Sequence, residues 1–170
     1  FKMQGMFPYA NCYSLKESKT WFEKLNISQK IESDLPIERA IFSLLHICMM
    51  KLDISMVTWI FHALESIYGT NSGRGFNDMS SQIFFLLKIP ERKQKSFKKK
   101  LRELNDLRSS FVHGGYKVPH PLNDDTNEQI YELTNFGVVL IICSLQQLMK
   151  NNWSGLKVSE VYEGNMCEHS

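Results

Sequence analysis

From Pro90 to Gly114-Gly115 the sequence reads as one long helix, and this segment constrains the fold more than any other. Proline at the start and glycine past the end is the usual asymmetry of helix termini. With Phe97 set at zero and 100° per residue, Leu101, Leu104, Arg108 and Phe111 fall within about 40° of one direction, with Leu107 on the flank. A helix of that length cannot bury such a stripe by itself. It needs other amphipathic helices packed against it.

The rest of the chain supplies them. Asp34 stands as a cap, Pro36 lies in a first turn, and Ile37, Ile41, Leu44, Leu45 and Cys48 recur at helical spacing. Lys51-Leu52-Asp53 is a break. A helix over about 54–68 follows, with Val57, Ile60, Phe61, Leu64 and Ile67 as its apolar face and Gly69 as its stop. Residues 70–75 are a Gly/Ser/Asn-rich loop, and a short helix spans about 76–87. Pro119 and Pro121 keep the stretch from Tyr116 to Asp125 non-helical. Thr126 caps a last helix running to about Lys150, with Leu133, Phe136, Leu140, Leu145 and Leu148 as core residues. Its Val138–Ile142 stretch is apolar on every side and predicts a central, buried helix. Strand patterns and repeats are scarce. The expected fold is all-α, a bundle of four to five main helices over 35–150. Residues 1–34 read as an N-terminal extension or linker, or as the end of a further domain. A short helix over Ser14–Leu25 packs there through Leu15, Trp21, Phe22 and Leu25. Residues 151–170 read as a C-terminal tail.

The chain has 170 residues, 43% of them hydrophobic and 22% charged, which suits one well-cored domain. The net charge of +2 hides an uneven distribution. Basic residues crowd Arg92–Arg102, whereas acids cluster at Asp124, Asp125 and Glu128. The longest apolar run, Val138–Cys143, is far short of the ~20 residues that span a bilayer, so a membrane partner is not expected. Cys12, Cys48, Cys143 and Cys167 show no paired spacing. Cys48 and Cys143 read as buried free thiols, which points to a reducing, cytoplasmic compartment.

Arg108 breaks the pattern of its own helix. A permanent charge on an apolar stripe requires an acid, an anion or a wet interface. Glu65 and Asp53 are the acids available for a structural ion pair. An arginine snorkelling at the core edge is the other plain explanation. His113 closes the same helix, where the dipole favours a cation. On an ideal helix it points about 140° from Arg108, so a shared site needs a distorted last turn or a long arginine reach. A guanidinium beside an imidazole, which exchanges protons near neutral pH, suits phosphate chemistry.

The segment Leu104-Asn105-Asp106-Leu107-Arg108-Ser109-Ser110-Phe111-Val112-His113-Gly114-Gly115 resembles the R-x4-H signature of HEPN domains, above all their ApeA-like branch. Phe61-His62-Ala63-Leu64-Glu65-Ser66-Ile67-Tyr68 is similar to the second-helix pattern of that branch, where an acid follows a leucine. The resemblance covers roughly residues 35–150. It implies a small helical domain that forms a two-fold homodimer, with the R-x4-H ends of both subunits in one cleft. It further implies metal-independent RNA cleavage in prokaryotic defence, abortive infection or toxin–antitoxin systems, without a cofactor, and an antitoxin or sensor domain as a further partner. Some members of the family bind RNA or nucleotides without cutting them. Two positions depart from the pattern. Gly115 stands where relatives regulated by tyrosine adenylylation carry tyrosine, with Tyr116 one place later. Ser109 stands where many relatives have asparagine.

On this reading Arg108 and His113 are the catalytic pair. Ser109, Ser110, Asn105 and Glu65 support them. Lys95, Lys99 and Arg102, on one side of the same helix, track an RNA backbone, unless they are only a solvated face. RNA carries its own nucleophile in the 2′-hydroxyl. An imidazole from each subunit moves the protons, and Arg108 stabilises the phosphorane charge. The expected products are a 2′,3′-cyclic phosphate and a 5′-hydroxyl. Two alternatives stand beside this: a catalytically silent HEPN module of a larger defence protein, for dimerisation or for RNA or nucleotide binding, and a helical adaptor in which Arg108 is only an ion-pair member. His46 and His62 read as satisfied core histidines, His120 as an exposed loop residue, Met49, Met50 and Met56 as core filler, and Cys167-Glu168-His169 as an unstructured tail rather than a metal site.

Overall fold

A computed structural model describes residues 8–51, 53–69, 75–120 and 127–157. Among them are six α-helices and one 3-10 turn, with no strand. They are α1 (Leu15–Leu25), the 3-10 turn Ile27–Gln29, α2 (Pro36–Met49), α3 (Met56–Tyr68), α4 (Gly75–Leu86), α5 (Glu91–Val112) and α6 (Asn127–Lys150). The all-α expectation holds. The loop over 70–74, Leu52 of the break, the Thr126 cap and the Cys167–His169 tail lie outside the described residues.

Helices α3 and α6 form the centre. Helix α3 packs on α2, α5 and α6, and α6 also reaches α2, α4 and α5. The apolar faces read from the sequence are buried: Val57, Ile60, Phe61, Leu64 and Ile67 on α3, and Leu133, Phe136, Leu140, Leu145 and Leu148 on α6. Burying such a side chain stabilises the fold by about 1.5–3 kcal/mol. Gly137 lets α6 come close. A Cβ built there would stand 2.6 Å from Ile60 Cγ2 and 3.1 Å from Leu104 Cδ2, so the three central helices meet at this glycine. Around it, Phe97 meets Phe84 and Phe136 edge to face, at ring separations of 5.7 and 5.2 Å. The stretch Ile130–Lys150, with mean hydropathy 1.3, is long and apolar enough to cross a membrane, and 56% of it is buried inside this bundle.

Two buried hydroxyls, on α3 and α6, satisfy one another. Ser144 Oγ donates to Leu140 O at 2.7 Å, and its one hydrogen is then used, so the Tyr68 hydroxyl donates to it at 2.6 Å. Burial raises the Tyr68 phenol far above its ordinary range. Burial likewise pushes the Cys143 thiol up to about 11.

The start of α2 corrects the expected cap. Leu35 occupies the N-cap, and Glu38 does what Asp34 was expected to do. Glu38 Oε2 accepts from the amides of Asp34 and Leu35, each at 2.9 Å, while Oε1 lies 2.8 Å from Lys30 Nζ. A carboxylate reaching back from the first turn satisfies donors that the helix leaves open.

Helix α1 is tied to the turn that follows α6. Ser14 and Glu17 make a capping box for α1. Trp21 is buried and its Nε1–H donates to Trp153 O at 3.2 Å. Of the residues expected to pack here, Leu15 and Phe22 instead face solvent, because only the Trp21 side of α1 meets α6. Leu45, Cys48 and Met49 are also exposed, on the side of α2 that none of the described helices covers. The buried-thiol expectation therefore holds for Cys143 and fails for Cys48. His46 and His62 are surface residues too, not core histidines.

Candidate functional site

Helix α5 delivers Arg108 to the edge of the core. Phe97, Leu101 and Leu104 are buried, and one turn later the stripe emerges, with Arg108, Phe111 and Leu107 partly exposed. Arg108 therefore keeps its charge without entering the interior. Its guanidinium lies over the buried Phe61 ring of α3, 5.4 Å from the centroid. Arg108 Nη2 is 3.5 Å from Glu65 Oε1, and the two side chains are 35% and 39% exposed. Of the two acids considered from sequence, Glu65 is the partner. At that exposure such a pair is worth about 0.2–1 kcal/mol, and an incoming anion can displace the carboxylate.

His113 is the C-cap of α5. Its backbone N–H donates to Ser109 O at 3.0 Å. Gly114 then takes a left-handed φ of 73°, which glycine adopts without strain. The turn lets Tyr116 N–H return to Ser110 O at 2.9 Å, and the Tyr116 ring meets Phe111 edge to face at 6.3 Å. The His113 side chain is exposed, and no hydrogen bond, ion pair or ring contact reaches its imidazole among the described residues. Helix α5 thus ends with a half-exposed guanidinium and an exposed imidazole five residues apart, not in contact with one another.

The supporting residues divide. Glu65 joins Arg108. Ser109, Ser110 and Asn105 are partly exposed around the same helix end. Lys95, Lys99 and Arg102 lie upstream, with Arg92, Ser96 and Lys98, along a shallow surface groove of about 620 Å³. Lys99 faces Glu103 at 3.8 Å, and Arg102 lies 5.7 Å over the Phe76 ring. The groove and the Arg108–Glu65 pair are separate features of one helix. No group of three His, Cys, Asp or Glu residues suited to a metal occurs among the described residues.

Sequence reasoning missed two members of this surface. Phe61 was expected only as core, yet its ring also supports the guanidinium. His62 was expected in the interior, yet it is exposed beside Glu65, with Nδ1 2.9 Å from Ser43 Oγ. The spacing His62–Glu65, one turn of α3, was the available signal.

No protein-family model, curated protein or solved structure matches the chain.

Proposed function

We propose that the chain is a HEPN-type domain that binds RNA at the end of α5 and cleaves it without a metal, as a two-fold homodimer in a prokaryotic defence, abortive-infection or toxin system. The observation that carries the reading is the state of Arg108. It leaves the core stripe partly exposed, rests on Phe61 and, among the described residues, is held by a water-accessible carboxylate. A guanidinium so placed binds the two oxygens of a phosphodiester in a planar fork and stabilises the charge that develops on them. The exposed imidazole of His113 moves a proton at the same helix end. The 2′-hydroxyl attacks the adjacent phosphorus, the P–O5′ bond breaks, and the products are a 2′,3′-cyclic phosphate and a 5′-hydroxyl.

A second reading is a HEPN module that binds RNA or dimerises without cutting. The absence of an orienting partner on the His113 imidazole among the described residues favours it. One experiment separates the two. Labelled RNAs of varied sequence are incubated in excess chelator with wild type, Arg108→Ala and His113→Ala. Cleavage by wild type that both substitutions abolish supports the nuclease. Binding that depends on Arg108 without cleavage supports the silent module. Equal behaviour of all three proteins refutes the nuclease and the RNA-binding module.

A further inference from the structure

The exposed face of α3 is narrow. Thr58, Trp59, His62, Glu65 and Ser66 are the accessible side chains of that helix. On a helical wheel they form one arc, with the α5 side at Glu65 and the α2 side at Trp59. At the first border Glu65 meets Arg108 of α5. At the other, the Trp59 indole is stacked on His46 of α2, with centroids 4.3 Å apart and planes 11° from parallel. His62 sits in the middle. Its ring meets Trp59 edge to face at 6.1 Å, and it lies one helical turn before Glu65.

The hydrogen bonding around Ser43 points to one tautomer of His62. Ser43 is 1% exposed. Its Oγ donates to Arg39 O at 2.7 Å, which uses its only hydrogen. With that hydrogen on Arg39 O, the 2.9 Å contact between Ser43 Oγ and His62 Nδ1 is satisfied by the Nδ1–H tautomer, nitrogen donating to oxygen. Nδ1 carries the hydrogen, and the outward Nε2 keeps its lone pair in the neutral ring. An imidazole whose inner nitrogen donates to a fixed acceptor is the arrangement that orients a general base. His113 has no such partner among the described residues.

We propose that His62, oriented by Ser43, is a second imidazole of the site and accepts the 2′-hydroxyl proton of an RNA strand whose phosphate rests on Arg108. The inference depends on the phosphodiester reading above and adds its base. The 2′-oxygen forms its bond to phosphorus while its proton passes to His62 Nε2. The P–O5′ bond breaks, and the leaving 5′-oxygen takes a proton from the His113 imidazolium. Solvent then returns both rings to their starting states. Of the titratable or charged groups around the arc, Glu65 lies one turn along α3 and is paired with Arg108 of α5, His46 of α2 stacks on Trp59, and the Arg39 guanidinium of α2 donates to Asp34 O. Ser43 is a positioning residue, since it acts only through His62.

The test uses the full chain and two readouts. Nitrogen-15 spectra of the histidine rings report the tautomer, which is expected to be Nδ1–H for His62 in wild type and mixed in Ser43→Ala. A 2′-deoxy tetranucleotide, which binds without reacting, is then titrated. It is expected to shift the His62 ring signals in wild type and not in Arg108→Ala. In cleavage, His62→Gln and His62→Ala are expected to lose about 100-fold or more in kcat with little change in KM. Ser43→Ala is expected to lose less, also in kcat. Wild-type kcat in both His62 variants, an Nε2–H tautomer, or His62 signals unmoved by bound tetranucleotide overturns the role of His62, and Arg108-dependent binding then leaves the wider reading standing. Binding indifferent to Arg108 overturns both.

Discussion

Replacing Arg108 separates a residue held for the fold from one held for a ligand. Two interactions are lost in Arg108→Ala. The ion pair with Glu65, 3.5 Å long between side chains more than one-third exposed, is worth about 0.2–1 kcal/mol. The guanidinium over Phe61, at 5.4 Å and open to water, contributes about 0.5–1 kcal/mol. The expected loss is therefore about 1–2 kcal/mol, a fall in Tm of roughly 2–8 °C for a chain of this size. A double-mutant cycle with Glu65→Ala isolates the pair. Urea titrations at pH 7 of wild type, both single variants and the double variant should give a coupling below about 1 kcal/mol. Breaking a buried pair costs about 3–5 kcal/mol. A coupling in that range would mean that Arg108 is kept for stability, and the adaptor reading would replace the phosphodiester site.

Three further outcomes follow from the same geometry. Hydrogen bonds from the Leu35 amide, then Lys30 and the Asp34 amide, hold the Glu38 carboxyl below its ordinary value of 4.5. Its folded value lies below its unfolded one, so its stabilisation is fully present above pH 4.5 and lost as pH falls through the lowered folded value. Glu38→Gln should flatten the acid limb of a stability–pH curve, and an unchanged limb would contradict this. Gly137→Ala gains about 1 kcal/mol in helix propensity but drives a Cβ to 2.6 Å from the branched Cγ2 of buried Ile60. Overpacking costs about 1–3 kcal/mol, so a net loss near 1 kcal/mol is expected in urea, relieved by Ile60→Leu; a stabilised variant would refute the close approach. Replacing Lys95, Lys99 and Arg102 with glutamine should lower the slope of log RNA affinity against log salt by roughly 2, at about 0.7 per phosphate contact; an unaltered slope would make that groove a solvated face.

The helices were legible because their apolar spacing is strong. The faces of α3 and α6 and the stripe of α5 came straight from period 3.6. What failed depended on the neighbours of a face. Leu45 and Cys48 continue the spacing of α2, yet α3 covers only one side of that helix, so they stay exposed. His62 looked interior because its helix is so apolar, but its position falls on the one open arc of α3. The partner of Arg108 was readable as one of two acids, and only the register of α5 on α3 selects Glu65. That same register puts Phe61 beneath the guanidinium, which periodicity alone cannot express. His113 was placed at the helix end by Gly114-Gly115, and it is the C-cap there, followed by the left-handed Gly114.

The chemistry of the cut ends tests the central claim most directly. Mass measurement of RNA fragments released by the wild-type chain in excess chelator should show a 2′,3′-cyclic phosphate on one side of the break and a 5′-hydroxyl on the other, with neither formed by Arg108→Ala. Fragments bearing a 5′-phosphate, or the same ends in equal yield without Arg108, would contradict it.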